Sequence, residues 1–216
     1  FSTLQPHFAS AVRGNVDFRF SSANKEQTAH ADVAYGGKRW AAVTSLSRWD
    51  FDHLRQGSRG PSDYVKPYYV LPGEERDSVV LQSDSLLQIP TAYRQWNFMQ
   101  KVAFRPSDQW KIEYALHHSQ TSAYGRYDRH NRIRNGLPRY AEWDYGPQLW
   151  TMNLLSAQHL KKTRWYDQAS YRAAVQTFEE SRIDRSMNKP DRTVQSEFVT
   201  AYSLNADFTC AWGNRH

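Results

Sequence analysis

Apolar and polar side chains alternate one by one along most of this chain, and that alternation constrains the fold more than any other feature. In "DQWKIEYALHHS", residues 108–119, Trp110, Ile112, Tyr114 and Leu116 share one parity, while Lys111, Glu113, Ala115 and His117 share the other. Successive side chains of a strand point to opposite faces, so this stretch is a strand with one apolar and one polar face. It suits a half-solvated sheet over a soluble core. It suits equally a strand with lipid on one side and a watery lumen on the other.

The pattern recurs. Val12, Val16, Phe18 and Phe20 oppose Arg13, Asn15, Asp17 and Arg19; Trp96, Phe98, Val102 and Phe104 oppose Asn97, Lys101 and Arg105. Residues 28–37, 168–181 and 198–208 read the same way. Apolar residues at helical spacing are scarce, so the chain is predicted to be all-β, with about eight antiparallel up-and-down strands and no long helix. "SSANKE", "GGK", "RPSDQ" and "KKTR" supply short turns. Long loops are expected over about 50–90 and 120–147, and a medium one over 183–193. Connections that alternate short and long are usual for outer-membrane barrels, and loops of this length are otherwise uncommon in a compact domain.

Composition points the same way. The chain is 14% aromatic, with 8 Trp and 13 Tyr, yet its mean hydropathy is −0.82. A transmembrane barrel combines the two, because apolar residues occupy alternate positions and aromatic girdles mark the interfaces. No apolar run approaches the roughly 20 residues of a membrane helix. The single cysteine, Cys210, leaves no intrachain disulfide framework. A net charge of +6 raises nucleic acid as a partner, but the Arg and Lys are spread over strands and loops, and no nucleic-acid partner is expected. The chain opens on Phe1 without a signal-like segment, and both ends read as cuts inside a longer protein.

Longer stretches carry a family resemblance. "SSANKEQTAHADVAYGGKRWAAVTSLSRWDFDHLRQGSRG", "YRQWNFMQKVAFRPSDQW", "GRYDRHNRIRNGLPRYAEWDYGPQLW" and "FEESRIDRSM" together resemble TonB-dependent outer-membrane receptors, nearest the haemoglobin/transferrin/lactoferrin-receptor-like branch. The resemblance runs from about Val12 to Phe208. It implies that residues 1–216 are part of a larger transmembrane β-barrel with long extracellular loops, lacking the plug domain. It also implies residence in the outer membrane of a Gram-negative bacterium, with lipid and lipopolysaccharide around it. The TonB complex would act through the missing plug, and the cargo would be an iron chelate, such as a siderophore, or haem. The histidine-bearing later-strand motif of haem receptors is not visible. A passive outer-membrane channel, an adhesion barrel and a soluble carbohydrate-binding β-sandwich are the alternatives.

Candidate ligand-binding residues fall in the loops and on the polar parity. Tyr64, Tyr68 and Tyr69 lie in the first long loop, and Tyr124, Arg126, Tyr127, Arg129 and His130 in the second. Aromatic rings can grip a chelate, and the planar fork of Arg matches carboxylates such as haem propionates. His117 is expected in a polar network facing the lumen. His117 and His118 point to opposite faces and cannot converge on one metal ion. Glu179 and Glu180 point apart too, so they do not form the paired acids of a glycosidase. "RQGSRGPSD" lacks the Gly-Lys-Ser/Thr ending of a phosphate loop. No catalytic residue, metal site or cofactor is expected, and the chain is not read as an enzyme.

Overall fold

The computed structural model describes residues 3–211. Eight long strands dominate: β1 (Ala11–Ser21), β2 (Glu26–Gly36), β3 (Trp40–Phe51), β4 (Tyr93–Ser107), β5 (Trp110–Thr121), β6 (Gln148–His159), β7 (Gln168–Ser186) and β8 (Arg192–Thr209). Each pairs antiparallel with the next in sequence, an up-and-down meander from β1 at one edge to β8 at the other. Tyr124–Gly125 and Tyr140–Tyr145 complete a ten-stranded sheet, the latter pairing with β7 beyond the end of β6.

The connections sort by end. Residues 37–39, 108–109 and 160–167 lie at one end; residues 22–25, 52–92, 122–147 and 187–191 lie at the other. The two long loops thus share one end, as expected. The medium loop expected over 183–193 is shorter, because β7 runs on to Ser186 and only residues 187–191 remain as a turn. The partner for that extension is Tyr140–Tyr145, which occupies the edge β6 has left.

Register carries the alternation across the whole sheet. Val12, Tyr35, Ala42, Val102, Tyr114, Leu155, Ala173 and Leu204 stand side by side in one row. One row of the opposite face reads Asp17, His30, Ser47, Asn97, Ser119, Trp150, Phe178 and Val199. His30 binds Ser47 Oγ at 2.7 Å and Asp32 at 3.1 Å.

The burial is inverted relative to a soluble sheet. The apolar face is open: Phe18 is 81% exposed, Tyr202 81% and Leu204 83%, with Val16, Val33, Trp96, Ile112, Tyr114 and Leu155 also exposed. No second layer covers this face among the described residues. The polar face is the more buried, and it holds Ser47, Lys101 and Thr121 beside the small residues Ala41, Val43, Ala103 and Ala115. Val43 is the largest side chain that is fully enclosed, so the sheet has no conventional apolar core. A continuous exposed apolar surface of this extent signals an interaction surface rather than a solvated one.

Residues 3–9 lie against the polar face at the short-turn end. Lys101 Nζ donates to Thr3 Oγ1 at 2.7 Å, and the Arg105 guanidinium sits 4.1 Å from the Phe8 ring centroid. The backbone carbonyls of His7 and Ala9 approach Gly36 so closely that a Cβ there would collide with them.

Candidate functional site

The two long loops pack on each other at their shared end, and the joint is built around Lys66. Its Nζ donates to the His130 carbonyl at 2.9 Å and lies 4.8 Å and 5.7 Å from the Tyr68 and Tyr127 ring centroids. Tyr127 Oη donates to the Tyr64 carbonyl at 2.9 Å. The His130 ring, on the one-turn helix Tyr127–His130, lies 3.0 Å from Asp144 on the strand Tyr140–Tyr145. Burial lowers the Lys66 ammonium to about 8 and pushes the Tyr68 and Tyr127 phenols up. The positive charge is poorly solvated there, although a carbonyl and two ring faces receive it.

Of the residues singled out from sequence, Tyr64, Tyr68, Tyr127 and His130 therefore meet around one lysine. Tyr69 stands opposite Val80 in the hairpin formed by Tyr68–Leu71 and Ser78–Leu81. Arg126 and Arg129 both lie over Trp143, at 5.2 and 5.3 Å, and Arg126 donates to Asp128 at 2.7 Å. Arg126 is thus bonded, Arg129 only approaches Asp128 at 3.9 Å with its Nε unpartnered, and Arg132 and Arg134 remain exposed on the loop. Asn135 and Gly136, with φ of 52° and 77°, make the two-residue turn joining Ile133–Arg134 to Leu137–Pro138.

His117 is not part of this group. It lies further down the polar face, with Trp150 at 6.2 Å, in a cavity of about 680 Å³ also lined by Lys101, Lys111, Glu113 and Arg172. Lys111 and Glu113 pair there at 3.0 Å. His118 faces the other way and meets Thr151 at 2.9 Å, as the opposite parity of the two histidines requires. No group of three metal-ligating side chains occurs among the described residues.

Three features were missed by reading the sequence. Lys66 is one. The second is a clasp at Asp77, whose side chain is fully enclosed. Arg185 donates to its two oxygens at 2.6 and 3.1 Å, and the Asn188 and Gly73 amides donate to it at 2.6 and 3.2 Å. Burial alone would raise the Asp77 pKa, but Arg185 and the two amides outweigh it and hold the carboxyl below its ordinary value. Glu142 bridges Arg185 at 3.6 Å and Arg192 at 2.6 Å. The third feature is a row of rings at the loop end of the polar face. Phe51 and Tyr93 are 4.8 Å apart, Tyr93 and Tyr124 5.6 Å, Tyr124 and Tyr145 5.5 Å, and Tyr145 and Trp143 5.8 Å.

No family model, curated protein or solved structure matches the chain.

Proposed function

We propose that this chain is a section of a transmembrane β-barrel in the outer membrane of a Gram-negative bacterium, belonging to a TonB-dependent receptor that imports an iron carrier such as a siderophore or haem. One observation carries the membrane part of this reading. One exposed face carries apolar side chains on every one of the eight strands, while the opposite face is mostly polar and, across β3–β6, the more buried. Water on the first face and protein on the second would be the reverse of ordinary solvation. Acyl chains outside and a lumen inside remove the contradiction.

Dimensions and composition support it. From Phe198 to Phe208, β8 carries its outward apolar residues over about 34 Å of strand. At the usual tilt of about 40° this is about 26 Å along the normal, close to the roughly 25 Å apolar band of such barrels. Rings gather on the same face at the short-turn end: Trp40 stacks on Phe104 at 4.3 Å, Trp110 meets the His159 ring at 4.7 Å, and Phe208 meets Tyr171 at 5.9 Å. Phe18, Phe20, Trp96 and Phe198 lie towards the loop end of that face. Aromatic belts at both margins are what a bilayer interface selects. Among the described residues the outer edges of β1 and β8 carry no strand partner, which suits a section of a larger barrel.

Import rather than passive conduction rests on the family resemblance, as does the iron-carrier cargo. Arg132 and Arg134 are the exposed arginines best placed to meet a carboxylate chelate. Fractionation of cells expressing the full protein tests the membrane reading. Recovery in the outer membrane, with the unheated band migrating faster than the heated one, is expected. Recovery as a detergent-free soluble monomer would sink it. A plug domain encoded upstream supports import, and its absence favours a passive channel.

A further inference from the structure

We infer that the row of rings on the polar face is a binding strip for a neutral, hydroxyl-rich ligand, a saccharide. The inference rests on the proposed lumen-facing orientation of this face but not on the iron-carrier cargo. Rings on the lipid side of a barrel are explained by the bilayer interface. Phe51, Tyr93, Tyr124, Tyr145 and Trp143 have the other parity, opposite Asp50, Arg94 and Asp144, and need a separate reason. All five are half-buried, so each ring keeps some free surface.

The row beneath supplies the complementary chemistry. Trp49, Gln95, Thr121 and Gln148 stand side by side, and the Gln148 amide reaches Glu180 at 3.1 Å. One step lower, Gln95 donates to Asn97 and Ser119 at 3.2 Å each, while Asn97 Nδ2 is buried without a hydrogen-bond partner among the described residues. Ring faces accept the C–H faces of a pyranose, carboxamides donate to and accept from its hydroxyls, and a carboxylate accepts from them. Apolar walls with a few placed polar groups are the usual make-up of a small-molecule site.

The charges select against an anion. Arg126 at the end of the strip is tied to Asp128, and Arg182, opposite Tyr145, is tied to Glu197 at 3.0 Å. Glu180 adds negative charge. Arg129, over the Trp143 ring, is 3.9 Å from Asp128, so among the described residues every cation along the strip has a carboxylate within 4 Å, and Glu180 is there to repel an anionic chelate.

The test is titration of the full protein, in detergent micelles, with maltohexaose, cellohexaose and xylohexaose, read by tryptophan fluorescence and calorimetry. Saturable binding of at least one of them is expected, weakened tenfold or more by Tyr93→Ala and by Gln148→Ala, and not displaced by ferric citrate. Gln148→Ala removes no ring from the strip, so its effect reads the polar contacts apart from the stacking surface that Tyr93→Ala deletes. Absence of binding by all three sugars overturns the inference, as does equal binding by both variants or competition by ferric citrate. Outer-membrane fractionation of the same protein is read separately, so loss of sugar binding with correct localisation leaves the barrel reading standing.

Discussion

The carboxylate of Asp77 and the guanidinium of Arg185 form a two-pronged ion pair, at 2.6 and 3.1 Å, between positions 108 residues apart in the chain. Asp77 sits in the loop between β3 and β4, and Arg185 near the tip of β7, so the pair fastens the first long loop to the far part of the sheet. Removing one partner of such a pair strands the other charge, at a cost of about 3–5 kcal/mol. Asp77→Asn is therefore expected to free residues 68–81 while leaving the long strands paired. Faster amide exchange in that hairpin, with unchanged protection in β4 and β5, is the expected result; unchanged exchange in the hairpin counts against the clasp. The pH dependence follows in sign. The folded Asp77 pKa is depressed, so the clasp contributes fully above the ordinary carboxylate range and is lost as pH falls through the lower, folded value.

Lys66 has the opposite linkage. Its folded pKa is about 8 against 10.5 in the unfolded chain, so the unfolded chain binds more protons between those values. The stability of the loop joint rises with pH through that window. Below pH 8 the buried charge costs at most about 3 kcal/mol. The measurement is loop amide exchange, corrected for intrinsic rate, from pH 7.5 to 9.5, a range that ends before tyrosine ionisation. Protection rising with pH in the native protein, and flat in Lys66→Met, is expected. A flat profile in both would show that the amine is solvated.

The faces of β5 make a paired prediction. Ile112 stands between Phe104 and Ala157 on the open apolar face, and Glu113 between Ala103 and Ser156 on the polar face. With lipid outside, Ile112→Arg places a cation among acyl chains two residues inward of the Trp110 belt, at a cost between the roughly 0–1 kcal/mol of the interface and the roughly 2–4 kcal/mol of the midplane, while Glu113→Gln stays in a polar setting. Assembly of the full protein into the outer membrane should fail for the first and persist for the second. Equal assembly of both would mean the faces are misassigned.

Strands were legible in the sequence and loop architecture was not, for a physical reason. The period of two is local, so Trp110, Ile112, Tyr114 and Leu116 disclose their shared face without knowledge of any partner. The end of β7 escaped because Ser181–Ser186 has polar residues on both parities, and its strand character comes from pairing with β8 on one side and Tyr140–Tyr145 on the other. Asp77 escaped because its partners, Arg185 and Asn188, are remote in sequence and no spacing rule joins them. Tyr127 and His130, candidate ligand contacts by sequence, are buried beside Lys66 and Asp144. An Arg- and Tyr-rich loop has the same composition whether its side chains meet a ligand or each other.

Gly36 offers the sharpest test of the segment at residues 3–9. This glycine is in ordinary extended backbone at the end of β2, so the strand itself tolerates a larger residue there. What it cannot accommodate is a Cβ beneath the carbonyls of His7 and Ala9. Valine favours strands, so Gly36→Val should keep β2 paired with β1 and β3 while pushing the segment off the polar face. Lys101, 4% exposed and bonded to Thr3, would then meet solvent. Amine labelling followed by mass spectrometry should show Lys101 modified several-fold faster in the variant, with Lys66 unchanged as the internal reference. If Lys101 stays protected in a variant that still folds, something other than residues 3–9 covers it.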